Sequence, residues 1–178
     1  MIVHINHHLR GAESRRDEKF VRAFCQKRNL PVIVVPAPVS KTGNIQTEAR
    51  RLRYAALTAV AEHIQCPIVL TAHHANDQAE TVLQHLMRGS GPEALVGIHE
   101  RRALNKKVAV LLPMLPLTRA EIDDYIRNAR LRFVTDRSNR SLKYTRNWIR
   151  KKVIPLLETQ NPRVVEALCT VAMKCSQK

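Results

Sequence analysis

Four side chains in "TAHHANDQAETVL", residues 71 to 83, can do acid–base or ligand chemistry: His73, His74, Asp77 and Glu80. They follow an apolar run, "CPIVL", that reads as a buried strand. A helical pattern begins near Asp77, with Ala79, Val82, Leu83 and Leu86 on one face. Asp77, Glu80 or Thr81, Gln84 and Arg88 recur at spacings of three and four and form a polar stripe opposite that face. Two readings stand open. In one, Asp77 caps the helix and Glu80 is its capping-box partner. In the other, two carboxylates at the carboxyl end of a strand face a ligand crevice. No metal site is expected, because adjacent histidines in extended chain diverge and the HExxH, EF-hand and CxxC spacings do not occur.

The basic residues form two further groups. In "EARRLRY", Arg50 and Arg53 are three apart, so one helical face carries both guanidiniums while Leu52 and Ala56 pack inward. That face is either solvated surface or a pair placed for phosphate. From Arg127 to Lys152 there are ten Lys or Arg and one acid, within a chain of net charge +15. On a helix Lys143, Arg146 and Arg150 share one cationic edge. An excess this large points to a polyanion, either nucleic acid or an anionic membrane surface. Only seven residues are Phe, Trp or Tyr, so phosphate contacts rather than base stacking must carry any RNA affinity.

The elements that must position these groups alternate. "MIVHIN", "LPVIVVP" and "CPIVLTA" read as strands; residues 13–29, 45–64 and Asp77 to Arg88 read as helices. Continuous apolar strands between helices predict an α/β fold with a parallel sheet covered on both faces. "HINHHLRG" closes the first strand, and its histidines are packed or solvated side chains near the sheet edge. After about residue 112 the texture changes, and "TRAEIDDYIRNAR" is a helix with Thr118 as its N-cap. Two regions follow: an α/β domain, 1–112, and a basic helical extension, 113–178. Cys25, Cys66, Cys169 and Cys175 form no CxxC pair and read as small apolar residues in a reducing compartment. The longest apolar run, residues 108 to 117, contains Pro113 and Pro116 and is too short to span a membrane. With no signal peptide at the N-terminus, a cytoplasmic location is expected.

"HINHHLRG", "EARRLRY", "TAHHANDQAETVL", "RGSG", "LLPMLPLTRAEI", "DRSN" and "RNWIRKKVIP" stand in the order and rough spacing of the tRNA(Ile)-lysidine synthetase family, which this chain resembles from about Val3 to Pro155. The resemblance implies an adenine-nucleotide α-hydrolase-like fold and an ATP-dependent ligase. The family adenylates the C2 oxygen of the wobble cytidine of tRNA(Ile), and the ε-amine of free lysine then displaces AMP; Mg²⁺ accompanies ATP. By the same resemblance, Asp77 and Glu80 are acids near the lysine, and Arg50 and Arg53 stabilise phosphate charge or the activated intermediate. His74 lies beside the nucleotide, and Arg88 closes that pocket. Lys143, Arg146, Asn147 and Arg150 face tRNA phosphate or the reaction centre. Asn76 stands where many relatives have a second Asp.

The family's glycine-rich ATP loop, SGGxDS, sits between a first strand and a helix that precede the equivalent of "MIVHIN". Here Gly11, Gly43, Gly89, Gly91 and Gly97 include no adjacent pair. The resemblance therefore implies a sheet incomplete at its N-terminus, a companion segment carrying the loop, and a chain that is not active alone. Two other functions fit the same residues: a non-catalytic or split RNA-binding remnant, and a related tRNA-modifying ATP pyrophosphatase such as a thiolation enzyme. The absence of CxxC weighs against thiolation, and an acidic pair kept in so basic a chain weighs against a remnant.

Overall fold

The computed structural model describes residues 1–40, 43–135, 141–142 and 144–177. They form two compact units, one of residues 1–69 with 103–109 and one of 70–102 with 110–178. The division at residue 112 drawn from charge stays a proposal beside them.

In the first unit, β1 (Ile2–Asn6) and β2 (Val32–Pro36) pair in parallel, with Ile2 opposite Val32 and Asn6 opposite Pro36. A parallel pair needs a crossover, and α1 (Ala12–Lys27) supplies it. Cys25 of α1 is fully buried, and Phe24 takes the Arg28 guanidinium over its ring at 4.0 Å. Asn6 is buried because both ends of its amide are used: Nδ2 donates to Glu18 Oε2 at 2.9 Å, and Oδ1 accepts from the His8 N–H at 2.9 Å. His7 is packed by an Nδ1 contact with the Ala37 carbonyl at 2.9 Å. The helix α2 (Ile45–His63) follows, and the Asn44 side chain caps it by accepting from the Thr47 N–H.

A second sheet has the order β3–β5–β4, from β3 (Ile68–Leu70), β4 (Arg101–Ala103) and β5 (Ala109–Leu111). The slanted bonds Ala109 N–H to Pro67 O, 2.9 Å, and Thr71 N–H to Leu111 O, 3.1 Å, are those of a parallel pair. The strands β4 and β5 form an antiparallel hairpin that the sequence reading did not anticipate. Arg101–Ala103 is too polar and too short to read as a strand. Its turn is set by Asn105, whose Oδ1 accepts from the N–H groups of Lys107 and Val108.

In the second unit, α3 (Ala75–Met87) starts two residues earlier than expected, and α4 (Arg119–Asn128) carries the expected Thr118 cap, closed as a box by Glu121. The segment from Thr145 to Glu158 is three helical pieces in succession: α5 (Thr145–Trp148), a π-helical turn (Ile149–Val153) and α6 (Ile154–Glu158). The last helix is α7 (Val164–Ser176). Ala75, Ala79, Ile149, Ile154 and Val165 form the core here, with Leu83, Val153 and Leu168 packed on it. Leu86, expected inward, is half exposed. Burying Ile149 completely contributes about 1.5–3 kcal/mol.

Candidate functional site

Asp77 and Glu80 lie on the first turns of α3, and Arg146 and Arg150 lie one helical turn apart in the segment opposite. The four side chains form a closed charged quartet. Arg146 Nε–H donates to Glu80 Oε2 at 2.7 Å, and its Nη2 donates to Asp77 Oδ1 at 3.0 Å. Arg150 grips Glu80 side-on, Nε to Oε1 at 2.5 Å and Nη2 to Oε2 at 3.0 Å, and its Nη2 reaches Asp77 Oδ1 at 3.2 Å. Glu80 is 0% exposed. A buried carboxylate is tolerated only when its lone pairs are taken and its charge is matched, and two guanidiniums do both. The hydrogen bond it donates to Glu80 is the leading reason that the Arg150 guanidinium is even less acidic than usual.

The π-helical turn accounts for this aim. Ile149 and Ile154 are five apart, too far round an α-helix to share a face, yet both are buried in the core. The wider turn brings them together, and Arg146 and Arg150 stay side by side toward α3.

The opening of α3 answers the capping question differently from either expectation. The N-cap is His74, and Asp77, at the third helical position, accepts from the His74 N–H through Oδ2 at 3.1 Å. Glu80 takes no part in the cap. Asp77 therefore serves both the helix start and the quartet, one oxygen to each. The His74 imidazole stands with Nε2 3.5 Å from Asp77 Oδ2 and with a buried Nδ1 that has no hydrogen-bond partner among the described residues. Burial, the largest influence, lowers its pKa despite the nearby Asp77 charge, so the ring is neutral at pH 7 and this approach is not an ion pair.

Three neighbours that sequence reasoning missed or read otherwise fix this geometry. Asn76 Oδ1 accepts the Arg119 N–H at 2.8 Å, so it ties α3 to the first residue of α4. Gln78, buried, donates through Nε2 to Val96 O at 2.9 Å and accepts from the Ile98 N–H at 2.6 Å. A Cβ at Gly97 would stand 2.6 Å from Gln78 Oε1, and Gly97 has φ +68°, so glycine is required there. The position of Gly97 after "RGSG" is the sequence signal that could have found this staple.

The remaining candidates are placed as follows. Arg50 and Arg53, on α2, are exposed; Arg50 lies 5.1 Å from the Tyr54 ring, and neither has an acidic partner among the described residues. Arg51 between them is paired with Glu48 at 2.7 Å. Arg88 ends α3 with its side chain exposed. Asn147 Nδ2 donates to Ser141 O at 2.8 Å. Lys143 and "DRSN" lie outside the described residues. Each unit holds its own candidates: Arg50 and Arg53 in the first, the quartet, His74, Arg88 and Asn147 in the second.

A cavity of about 490 Å³ lies on the other side of α3, lined by Ala75, Gln78, Val96, Ile98, Cys169 and Met173 among others. No quartet residue lines it. Its thiol, Cys169, is pushed up to about 11 by burial and by Glu166, so it is no thiolate nucleophile.

The Asp77–Glu80 pair does not suit Mg²⁺. Three of its four oxygens accept guanidinium N–H, and Glu80 is sealed from solvent. Among the described residues no three His, Cys, Asp or Glu stand together as metal ligands, and no helix is long and apolar enough to cross a membrane.

The tRNA(Ile)-lysidine synthase of Rhodopirellula baltica is 39% identical over 94% of the chain, that of Bacteroides thetaiotaomicron 38% over 93%, and that of Thermotoga maritima 36% over 93%. The chain spans 44%, 39% and 40% of those relatives' own lengths. Among solved structures, the U34-tRNA thiolase NcsA from Methanococcus maripaludis with its [4Fe-4S] cluster aligns with TM-score 0.79 at 16% identity, over 97% of this chain and 60% of that one. The shared fold is the expected α/β architecture with a parallel sheet. Residues 1–157 match the PP-loop domain, and the chain belongs to that family.

Proposed function

We propose that this chain forms the catalytic core of a tRNA(Ile)-lysidine synthetase. In this reading ATP adenylates the C2 oxygen of the wobble cytidine with loss of pyrophosphate. The neutral ε-amine of free lysine attacks C2, the C2–O bond breaks, AMP leaves, and the amine proton is given up to a base. Asp77 and Glu80 supply the acidic environment for the lysine end. Arg50 and Arg53 stabilise phosphate charge, and His74 and Arg88 border the nucleotide. Lys143, Arg146, Asn147 and Arg150 belong to the basic stretch that meets tRNA phosphates. The triphosphate is held by an SGGxDS loop provided with this chain, and the activity is cytoplasmic. Mg²⁺ enters, if bound, with the ATP phosphates and not at Asp77 and Glu80.

The observation that supports this reading best is the quartet itself. It is built from "TAHHANDQAETVL" and "RNWIRKKVIP", two of the stretches that carry the lysidine synthetase resemblance, with both acids held by both arginines at 2.5–3.2 Å. The test is ATP-dependent incorporation of labelled lysine into a tRNA(Ile) transcript, by the 178-residue chain mixed with or fused to a loop-bearing strand–loop–helix from a relative. Incorporation that needs ATP and that cytidine is expected. RNA binding without any incorporation would leave the remnant reading, and sulfur transfer instead of lysine would leave the thiolation reading.

A further inference from the structure

We propose that the exposed aromatic side chains of the second unit are stacking platforms for unpaired bases of RNA, with Tyr144 and Trp148 as the leading pair and Tyr125 and Phe133 beside them in the basic stretch. This rests on the proposed RNA partner and gives base contacts to residues that have no role in that function so far.

The two units treat their aromatic residues in opposite ways. Phe20, Phe24 and Tyr54, in the first unit, are half-buried, and each ring has a partner. Phe20 and Phe24 lie with centroids 6.3 Å apart, Arg28 stands over Phe24, and Arg50 stands over Tyr54. The four in the second unit are exposed: Tyr125 by 68%, Phe133 by 61%, Trp148 by 40% and Tyr144 by 39%. Among the described residues none of these four side chains has a ring, a cation or a hydrogen-bond partner. The core of that unit is made instead from Ala75, Ala79, Ile149, Ile154 and Val165. Each ring carries more apolar area than any of those side chains, so leaving all four outside forgoes stability that burial would give. Their small number predicted phosphate contacts alone; their placement adds bases.

Tyr144 and Trp148 are the most closely defined pair. The Trp148 N–H donates to the Tyr144 carbonyl at 3.0 Å, so the N-cap and the last residue of α5 stand one helical turn apart. Side chains four apart share a face. They alternate with Arg146 and Arg150, which face Asp77 and Glu80, so the two rings lie on the side of the segment turned away from the quartet. Ile149, fully buried beside Trp148, anchors that end of the pair in the core.

The surroundings are cationic. Arg130, Arg132, Lys151 and Lys152 are exposed, and Arg130 and Arg132 have no ion pair among the described residues. Asp123 and Asp124 of α4 are already matched by Arg119 and Arg127. Cations that track a backbone, interleaved with rings that take bases, are what single-stranded nucleic acid requires. An anionic membrane would meet the same charge, but α5 is four residues long and arginines and lysines separate the rings, which leaves no continuous apolar face to enter a bilayer.

The sequence holds one tryptophan, so the emission of the full 178-residue chain reports Trp148 alone. Three probes are titrated at fixed low salt: a single-stranded RNA, an abasic strand with the same sugar–phosphate chain, and vesicles of phosphatidylglycerol and phosphatidylcholine. We expect the intact strand to quench the emission and to bind about tenfold more tightly than the abasic one. Tyr144→Leu should weaken binding of the intact strand by about tenfold and leave abasic binding unchanged. Trp148→Phe, which keeps a ring, should retain most of the affinity that Trp148→Leu loses, as read by anisotropy of labelled RNA. The comparison of probes on the parent chain decides by itself should a variant not fold. Equal affinity for the intact and abasic strands without quenching, or no RNA binding at all, would overturn the proposal. A response to the vesicles and not to RNA would place the rings at a membrane surface and overturn it too. Lysine incorporation by the loop-complemented assembly is read apart: it can fail while stacking stands, and it can stand while the abasic strand binds as well as the intact one.

Discussion

Two arginine pairs in this chain stand in opposite circumstances. Arg50 and Arg53, three apart on α2, are exposed and have no acidic partner among the described residues. Arg146 and Arg150, four apart with a π-helical turn beginning at Ile149, are locked onto Asp77 and Glu80. Both pairs read as basic motifs in the sequence. The first stands at the surface without a carboxylate to hold it among the described residues; the second is part of the fold before any ligand arrives. An exposed guanidinium contributes little to stability, whereas one that neutralises a sealed carboxylate contributes a good deal.

Breaking the two pairs should therefore separate stability from binding. Arg150→Ala leaves Glu80 buried with one guanidinium, and we expect a loss of about 2–3 kcal/mol in chemical denaturation, below the range for a sealed pair because Arg150 is 39% exposed. Arg53→Ala should stay within about 0.5 kcal/mol of the parent, while the log–log salt slope of tRNA binding falls by roughly one unit if Arg53 meets a phosphate. Equal destabilisation by the two would erase the distinction.

Asp77→Asn is the next largest change. The amide oxygen can still accept the His74 N–H, but the charge opposite both arginines is gone. A loss of about 1–2 kcal/mol is expected by thermal unfolding. A neutral outcome would mean that Glu80 alone holds the two arginines.

His74 gives a smaller, pH-dependent effect. Its pKa is lowered in the folded state, chiefly by burial, so the unfolded chain takes up the proton first. The folded state is then unpenalised above the ordinary value of about 6.5, and stability falls as the pH drops from there through the lowered folded value. Replacing His74 with Gln should flatten that decline between pH 7 and pH 5 in matched melts. An unchanged slope would place the proton uptake at another histidine.

The smallest expected effect tests the π-helical turn. Deleting Lys151, which is exposed, leaves Ile149 and the next core isoleucine four apart, where an ordinary α-helix also puts them on one face. Stability should change by no more than about 1 kcal/mol, and far-ultraviolet circular dichroism should be retained. Collapse of the fold would show that the wide turn does more than accommodate one residue.

The sequence was most readable where periodicity and caps agree. The first two strands, α2 and the Thr118 cap of α4 are set by local pattern and stand where expected. The hairpin of β4 and β5 was not legible, since "RRA" has no strand signature and its pairing depends on a partner elsewhere in the chain. At the site, the acids and arginines were identified as types but not as partners: Asp77 and Arg150 are separated by seventy-three residues, and no local rule links them. Gln78 was invisible for the same reason, and Asn76 was singled out without its partner, since each bonds to backbone far along the chain.

The central claim is that this quartet serves lysine transfer to tRNA(Ile). Its most direct measurement is single-turnover lysine incorporation in the loop-complemented assembly, comparing the parent with a folded Glu80→Gln variant at saturating ATP. We expect ATP-dependent incorporation by the parent and a loss of about a hundredfold in the variant, as for removal of a group that preorganises charge at a reacting centre. Equal rates for the two, or no incorporation by a complemented and folded parent, would contradict it.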